Sequence, residues 1–512
     1  MGRDNPYSTT AVEFRGENSR FSRPRQQSSV FSTSERLSTT EKIGYGLGDT
    51  ASNLYWKLFE NFQLYFYTEV FGLAAAQAAT MFLITKIWDA INDPIVGFLA
   101  DRTRTAWGRF RPYLIWMSLP FAITGILTFY TPDLSAAGKL VYAYITYTLV
   151  FMAYTAINIP YGALMGVISS NSLERTTVSA YRFVLAFAGG LVVQLLTLPL
   201  ILFFGGSETR VVDGVEKVVA TNPQAGFFWT VVLFALAAVV LFTITFFTTR
   251  ERVIPEQESN STLWQDVRDL ASNRPWMVLL FVGLFQILAG WTRGSATAYY
   301  FEYFARIQKV ELFFDPASFG NFFATGTFCS ILGMILTRPA VKLFGNKWLS
   351  ILVMLGNALC MACFLFLKPD QWTWMYALHG LGSFISGPMP ILLWAMYADA
   401  ADYSEWINHR RATGLVFAAA TFSQKLGSAL GAAIPGWGLA YYGFQIPVNN
   451  VAQAQTQETI DGIVRMMSII PAFFLVCGCV AMLFYNLNQR FLERMETELR
   501  NRKLESPTET FA

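Results

Sequence analysis

The chain has 512 residues, is 53% hydrophobic and 14% charged, and carries a net charge of +3 at pH 7. A surface that apolar cannot be left in water, so much of it must face lipid, and the small net charge gives no reason to expect a nucleic-acid partner. The 45 Phe, 22 Tyr and 14 Trp fit membrane filling and interfacial anchoring.

In chain order, residues 1–42 are polar, rich in Ser, Thr and Arg, without a cleavable signal peptide, and read as a disordered cytoplasmic tail. Seven segments of about 20 mostly apolar residues stand out next, among them 114–131, 227–247 and 463–485, a length that spans the hydrocarbon as a helix. Weaker segments interrupted by polar residues, around 45–71, 76–100, 179–204, 275–304 and 414–442, bring the total to about twelve. The expected fold is an all-α polytopic membrane protein.

Basic residues collect in alternate loops: Arg102, Arg104, Arg109 and Arg111; Arg250 and Arg252; Lys342 and Lys347; Arg410 and Arg411. The positive-inside rule makes those loops cytoplasmic, and an even span count puts both termini with them in a multi-pass plasma-membrane protein, or an inner-membrane one in a Gram-negative cell. The polar stretch 250–274 divides the chain into segments 43–249 and 275–487 of about six spans each, followed by the tail 488–512. A faint repeat links them: Pro94 and Gly97 lead into LADRTRTAWGRFRP, and Pro339 leads into VKLFGNKW, so each segment has a Pro-containing helix end and a Gly-basic turn. Such a repeat predicts a substrate site between the two. The five cysteines lie in apolar runs and read as packing.

Ionisable side chains inside membrane helices are costly and mark function. Asp89, Asn92 and Asp93, at i, i+3 and i+4, project from one helix face as hard oxygens suited to sodium or a shared proton, and Thr155 is a candidate to complete the shell. The alternative for the two aspartates is structural pairing with a distant Arg or Lys. Asp49, Asn53 and Trp56 on the first span, and Tyr154, Asn158 and Tyr161 on the fourth, offer the carboxylate, amide, hydroxyl and aromatic groups that bind sugars. Lys57 and Glu60 are expected to neutralise each other. Arg182 and Lys425 have no acidic neighbour in sequence and must each find an acid across the bundle or face a cavity, of which the cavity is the expectation, whereas Arg293 has the option of snorkelling to an interface. Asp101, Arg102, Arg109, Asp399, Asp402, Arg410 and Arg411 are candidate gating residues on the cytoplasmic side.

The stretches YGLGDTASN (45–53), KIWDAINDP (86–94), DRTRTAWGRFRP (101–112), AINIPYGAL (156–164), SAYRF (179–183), LLWAMYADAADYSEW (392–406), RRATGL (410–415) and FSQKLGSALG (422–431) resemble the glycoside-pentoside-hexuronide:cation symporters of the major facilitator superfamily. The resemblance covers nearly the whole chain outside its tails. It implies twelve helices in two six-helix bundles, alternating access, and coupling to sodium, lithium or a proton. It also implies a cation site at Asp89, Asn92, Asp93 and Thr155, and sugar surroundings at Asn53, Tyr154, Asn158, Arg182 and Lys425. Asn53 and Asn158 stand where melibiose permease, a member of that family, has aspartates, which bears on which sugar is carried.

The expected function is import of a glycoside or small sugar by symport, by a protein that works as a monomer in the bilayer and needs no cofactor. A carrier of lysolipids or other amphipathic solutes is the alternative. His379 and His409 have no metal-ligand spacing and no nucleophile–base pair accompanies them, so an enzyme is not expected.

Overall fold

The computed structural model describes residues 36–169, 172–212, 215–252, 272–307, 318–408, 413–447 and 453–487, with scattered residues of 491–501. Of the tail expected at 1–42, residues 1–35 lie outside the described residues, while Thr39 already opens the first helix; residues 253–271 of the stretch 250–274 and 502–512 of the tail expected at 488–512 also lie outside them.

The chain is mostly helical. In order run α1 (Thr39–Tyr65), α2 (Ala75–Arg102), α3 (Arg111–Trp116), α4 (Ser118–Thr128), α5 (Ala136–Val167), α6 (Ser172–Gly205) and α7 (Pro223–Thr248). The second half holds α8 (Arg274–Tyr299), α9 (Phe319–Ile335), α10 (Thr337–Cys363), α11 (Trp372–Ser386), α12 (Met389–Asn408), α13 (Thr413–Tyr441), α14 (Gln457–Met467) and α15 (Ile469–Leu483). Caps fix several starts: the Ser38 hydroxyl accepts from the Glu41 N–H at 3.1 Å, and the Asn222 and Asn273 side chains accept from Ala225 and Trp276 N–H, each ahead of a proline in the first turn.

Among the described residues seven spans are long and apolar enough to cross a membrane, including Thr177–Gly205 and Arg274–Phe304, two that polar interruptions made weak in the sequence. Segment 114–131 is not one of them, because it breaks at Met117 between α3 and α4. Pro120 explains the break: it has no N–H to give the Trp116 carbonyl, and its ring crowds that oxygen. Large apolar side chains such as Phe203, Phe247 and Phe484 are more than 70% exposed on the outside of the bundle, an arrangement that suits hydrocarbon as solvent.

The chain is not purely helical, since strands β1 (Ser207–Val212) and β2 (Val215–Ala220) pair antiparallel with Ser207 opposite Ala220. SETRVV and VEKVVA have β-branched residues, and Asp213-Gly214 between them is a hairpin dipeptide.

The Gly-basic turns of the suspected repeat share a backbone feature. Gly108 has φ 113° and Gly345 has φ 70°, a region L side chains avoid. A Cβ on Gly108 would also lie 2.5 Å from Glu251 Oε1, whereas one on Gly345 would meet nothing within 4 Å. Gly345, with ψ 165°, lies in a region essentially restricted to glycine, so Gly345→Ala should cost about 1–3 kcal/mol of backbone strain, and Gly108→Ala, which adds the clash with Glu251, should cost more; equal thermal shifts in the purified variants would contradict this ranking.

Within the first half α1 packs along α6 and α7; within the second, α8 packs along α13 and α15. Contacts of α2 with α13, α1 with α8 and α6 with α9 join the halves. At the end that carries the π-helical turns Phe66–Val70 and Tyr300–Phe304 they are sealed: the Thr68 and Tyr299 hydroxyls are 2.5 Å apart, the Tyr303 hydroxyl donates to Glu69 at 2.9 Å, and the rings of Phe62 and Phe319 pack at 5.2 Å.

Candidate solute and cation site

Two polar constellations sit inside the bundle, joined by α5. In the first, Asp49 of α1 accepts from Arg182 Nε of α6 at 2.9 Å, and the guanidinium lies 5.3 Å from the Tyr161 ring centroid. Tyr161 and Tyr45 stack at 4.7 Å and each hydroxyl donates to the other residue's carbonyl, which fixes the ring under the arginine. Asn53 donates to the carbonyl of Asp49 and Asn158 to that of Tyr154, one turn back in each helix, while the Asn158 oxygen accepts from Ser52 at 2.8 Å. Their amide N–H groups are thus partly committed to the backbone. Trp56 stacks on Tyr154 at 5.7 Å and meets Trp291 of α8 edge-on at 5.4 Å, so an aromatic wall spans both halves.

In the second constellation Thr155 Oγ1 lies 2.7 Å from Asp89 Oδ1 and 3.1 Å from Asp93 Oδ1. One hydroxyl proton serves one carboxylate at a time. The other carboxylate oxygens both accept from Lys425 Nζ of α13, at 3.1 Å for Asp89 and in a short contact for Asp93. Asn92 is buried on the same helix, its Nδ2 without a partner among the described residues.

Both cations expected to face a cavity are therefore paired with acids across the bundle: Arg182 with Asp49, and Lys425 with Asp89 and Asp93. The physical reason is that buried carboxylates in a low-dielectric interior need a compensating charge more than the cations need water. Lys425, which the resemblance puts beside the sugar, lies on the cation cluster. Lys57 and Glu60 pair at 2.6 Å as expected.

Sequence reading passed over Lys86. It is 3% exposed, one turn before Asp89, with its ammonium 3.5 Å from the Phe151 ring centroid and 5.3 Å from that of Trp56. Its position at i−3 from Asp89 was the available signal.

Of the candidate gating residues, Arg102 lays its guanidinium over the Phe98 ring at 3.8 Å. The backbone N–H groups of Arg109, Phe110 and Arg111 all donate to Glu251 at 2.7–2.9 Å, so a carboxylate sits on the positive end of α3. Asp399 and Asp402 lie on α12; Arg410, Arg411 and the side chain of Asp101 lie outside the described residues. The described ion pairs near Glu251, Glu41 with Arg252 and Glu174 with Lys42, join elements of the first half. Glu251→Gln keeps one acceptor oxygen, turns an NH2 toward a backbone N–H that the other oxygen now serves, and loses the charge, so it should lower stability by about 1–3 kcal/mol; an unchanged unfolding temperature would contradict the capping role.

A family model described as MFS/sugar transport protein matches residues 44–489. The chain belongs to this family. It is a family of membrane transporters within the major facilitator superfamily, so the chain is a transporter and not an enzyme. The inner membrane symporter YicJ of Escherichia coli is 36% identical over 91% of this transporter and 96% of its own length. The isoprimeverose transporter of Lactiplantibacillus pentosus is 31% identical over 88% and 89%. Among solved structures, the nucleoside transporter NupG superposes with a TM-score of 0.60 at 11% identity, covering 87% of this chain and all of NupG, which speaks for the fold alone.

Proposed function

We propose that the protein imports a glycoside or small sugar by symport with sodium or a proton, through alternating access of two six-helix bundles, 43–249 and 275–487, with both termini cytoplasmic and no cofactor. The twelve spans of that arrangement follow if α3 with α4, α9 with the start of α10, the rest of α10, α11 with α12, and α14 with α15 each make one crossing.

The observation that carries this reading is the bridge from Lys425 on α13 to Asp89 and Asp93 on α2, because it puts a titratable, charge-balanced cluster across the two halves. An incoming sodium ion would take the oxygens of Asp89, Asn92, Asp93 and Thr155 only by displacing the Lys425 ammonium. A proton would settle on Asp93, the more exposed of the pair. Either event loosens the tie between α2 and α13. Asp49, Asn53, Trp56, Tyr154, Asn158, Tyr161 and Arg182 hold the sugar. Tyr154, Thr155 and Asn158 lie within two turns of α5, so ordering one site orders the other, and reciprocity requires each ligand to raise the affinity for its partner. An inside-negative potential adds about 2.3 kcal/mol per charge per 100 mV.

The test is uptake by the purified protein in proteoliposomes, screening labelled glycosides under a sodium gradient, a proton gradient, and neither. Accumulation that requires one gradient names the cation and the sugar together. No gradient-driven uptake of any glycoside, with good binding of lysolipids, would overturn the reading in favour of a lipid carrier.

A further inference from the structure

Beside the aromatic wall lies a cavity of about 290 Å3, walled by α1, α6 and α8 to α11, with a small part of α15, and lined by polar groups that none of the roles above uses. Its arginine, Arg293 of α8, is 7% exposed rather than snorkelling. Arg293 Nη1 donates to the Met467 carbonyl at 3.1 Å, an oxygen left without its helical partner because Pro471 has no N–H. One arm of the guanidinium is thus explained, but its charge is not. Among the described residues no carboxylate pairs with Arg293, and the nearest acid in the cavity lining, Glu60, is held by Lys57.

The lining contains further unmet groups. Asn61 Nδ2, Gln286 Oε1 and His379 Nε2 are buried without a partner among the described residues, and Asn61 is only 4% exposed. The guanidinium lies over the Phe364 ring at 4.4 Å but has no carboxylate partner among the described residues, and with the orphaned neutral donors and acceptors around it this is an arrangement that a ligand with one anionic group and several hydroxyls would satisfy. Trp291, two residues before Arg293 on α8, packs against Trp56, and Lys57 follows Trp56 directly, so the cavity adjoins the proposed sugar surroundings.

We propose that this cavity is an anion subsite in which Arg293 receives the carboxylate of an acidic glycoside while Asn61, Gln286 and His379 hold its hydroxyls. The inference rests on the sugar-symport reading and narrows its substrate class. In this structure Lys425 and Arg182 are paired with acids, whereas Arg293 has no carboxylate partner among the described residues.

The experiment compares equilibrium binding of methyl β-D-glucuronide and methyl β-D-glucoside to the full-length protein in lipid nanodiscs. The two ligands differ only by a carboxylate in place of a hydroxymethyl group. The expected result is about tenfold tighter binding of the glucuronide to the wild type, and a ratio near one in Arg293→Gln. Arg293→Lys should retain part of the preference through its charge. Equal affinities in the wild type would overturn the proposal whatever the variants do, so a variant that fails to fold leaves it testable. A preference that persists in Arg293→Gln would also overturn it. Sodium sulfate displacing the glucuronide as effectively as unlabelled glucuronide would point instead to an inorganic-anion site. Binding of neutral glycosides with no preference for the acid sinks this inference alone, whereas binding of neither ligand sinks it and, if the glycoside uptake screen is also negative, the sugar-symport reading with it.

Discussion

Asp89→Asn should reduce gradient-driven accumulation of the transported sugar to the equilibrium level. Asp89 is 2% exposed, and its two oxygens are committed to Thr155 and Lys425, groups that can both donate. An amide at this position can turn its NH2 to Thr155, whose hydroxyl accepts while donating to Asp93, but it removes one of the two charges that hold the lysine. Breaking a buried pair from one side costs about 3–5 kcal/mol, enough to change the occupancy of the cluster by more than about a hundredfold. The measurement is the ratio of internal to external labelled sugar in vesicles under an imposed cation gradient. Accumulation at the wild-type level would contradict the assignment of Asp89 to coupling.

The second large effect is expected from Lys425→Met. With the ammonium gone, Asp89 and Asp93 share one hydroxyl donor, Thr155, and repel one another in a dry interior. The single variant should lose about 3–5 kcal/mol of stability or bind a proton permanently. Adding Asp93→Asn removes the uncompensated charge, and the double variant should recover at least about 1 kcal/mol of that loss, since groups in one ion-paired network do not act additively. Thermal unfolding of the two single variants and the double variant in the same lipid closes the cycle; additive losses would show that Lys425 and Asp93 are not coupled.

Much of the site was legible because it is local. Asp89, Asn92 and Asp93 share a helix face by spacing alone, and so do Tyr154, Thr155 and Asn158; in the structure Thr155 lies against both aspartates. What spacing does not carry is partnership across the bundle. Lys425 lies 336 residues from Asp89 in sequence, and no periodicity within α13 says which acid it will meet. Lys86 was hidden for a related reason, since its ammonium is surrounded by rings from three different helices, α1, α5 and α8. Arg293 looked free to snorkel because the carbonyl that draws it inward belongs to Met467 and is exposed only by a proline four residues later. In the fold, the same kind of local chemistry decides: Pro120 breaks segment 114–131, and the β-branched residues of SETRVV and VEKVVA pair as two antiparallel strands.

The most direct test of sugar–cation symport loads proteoliposomes with a pH-sensitive dye, or with a sodium-sensitive one, and adds the transported glycoside outside with no cation gradient and the membrane potential clamped at zero. The account predicts that glycoside entering down its own gradient drags the coupling cation inward, and that Asp89→Asn loses this flux. Glycoside entry without movement of either cation would contradict it and leave the protein a uniporter.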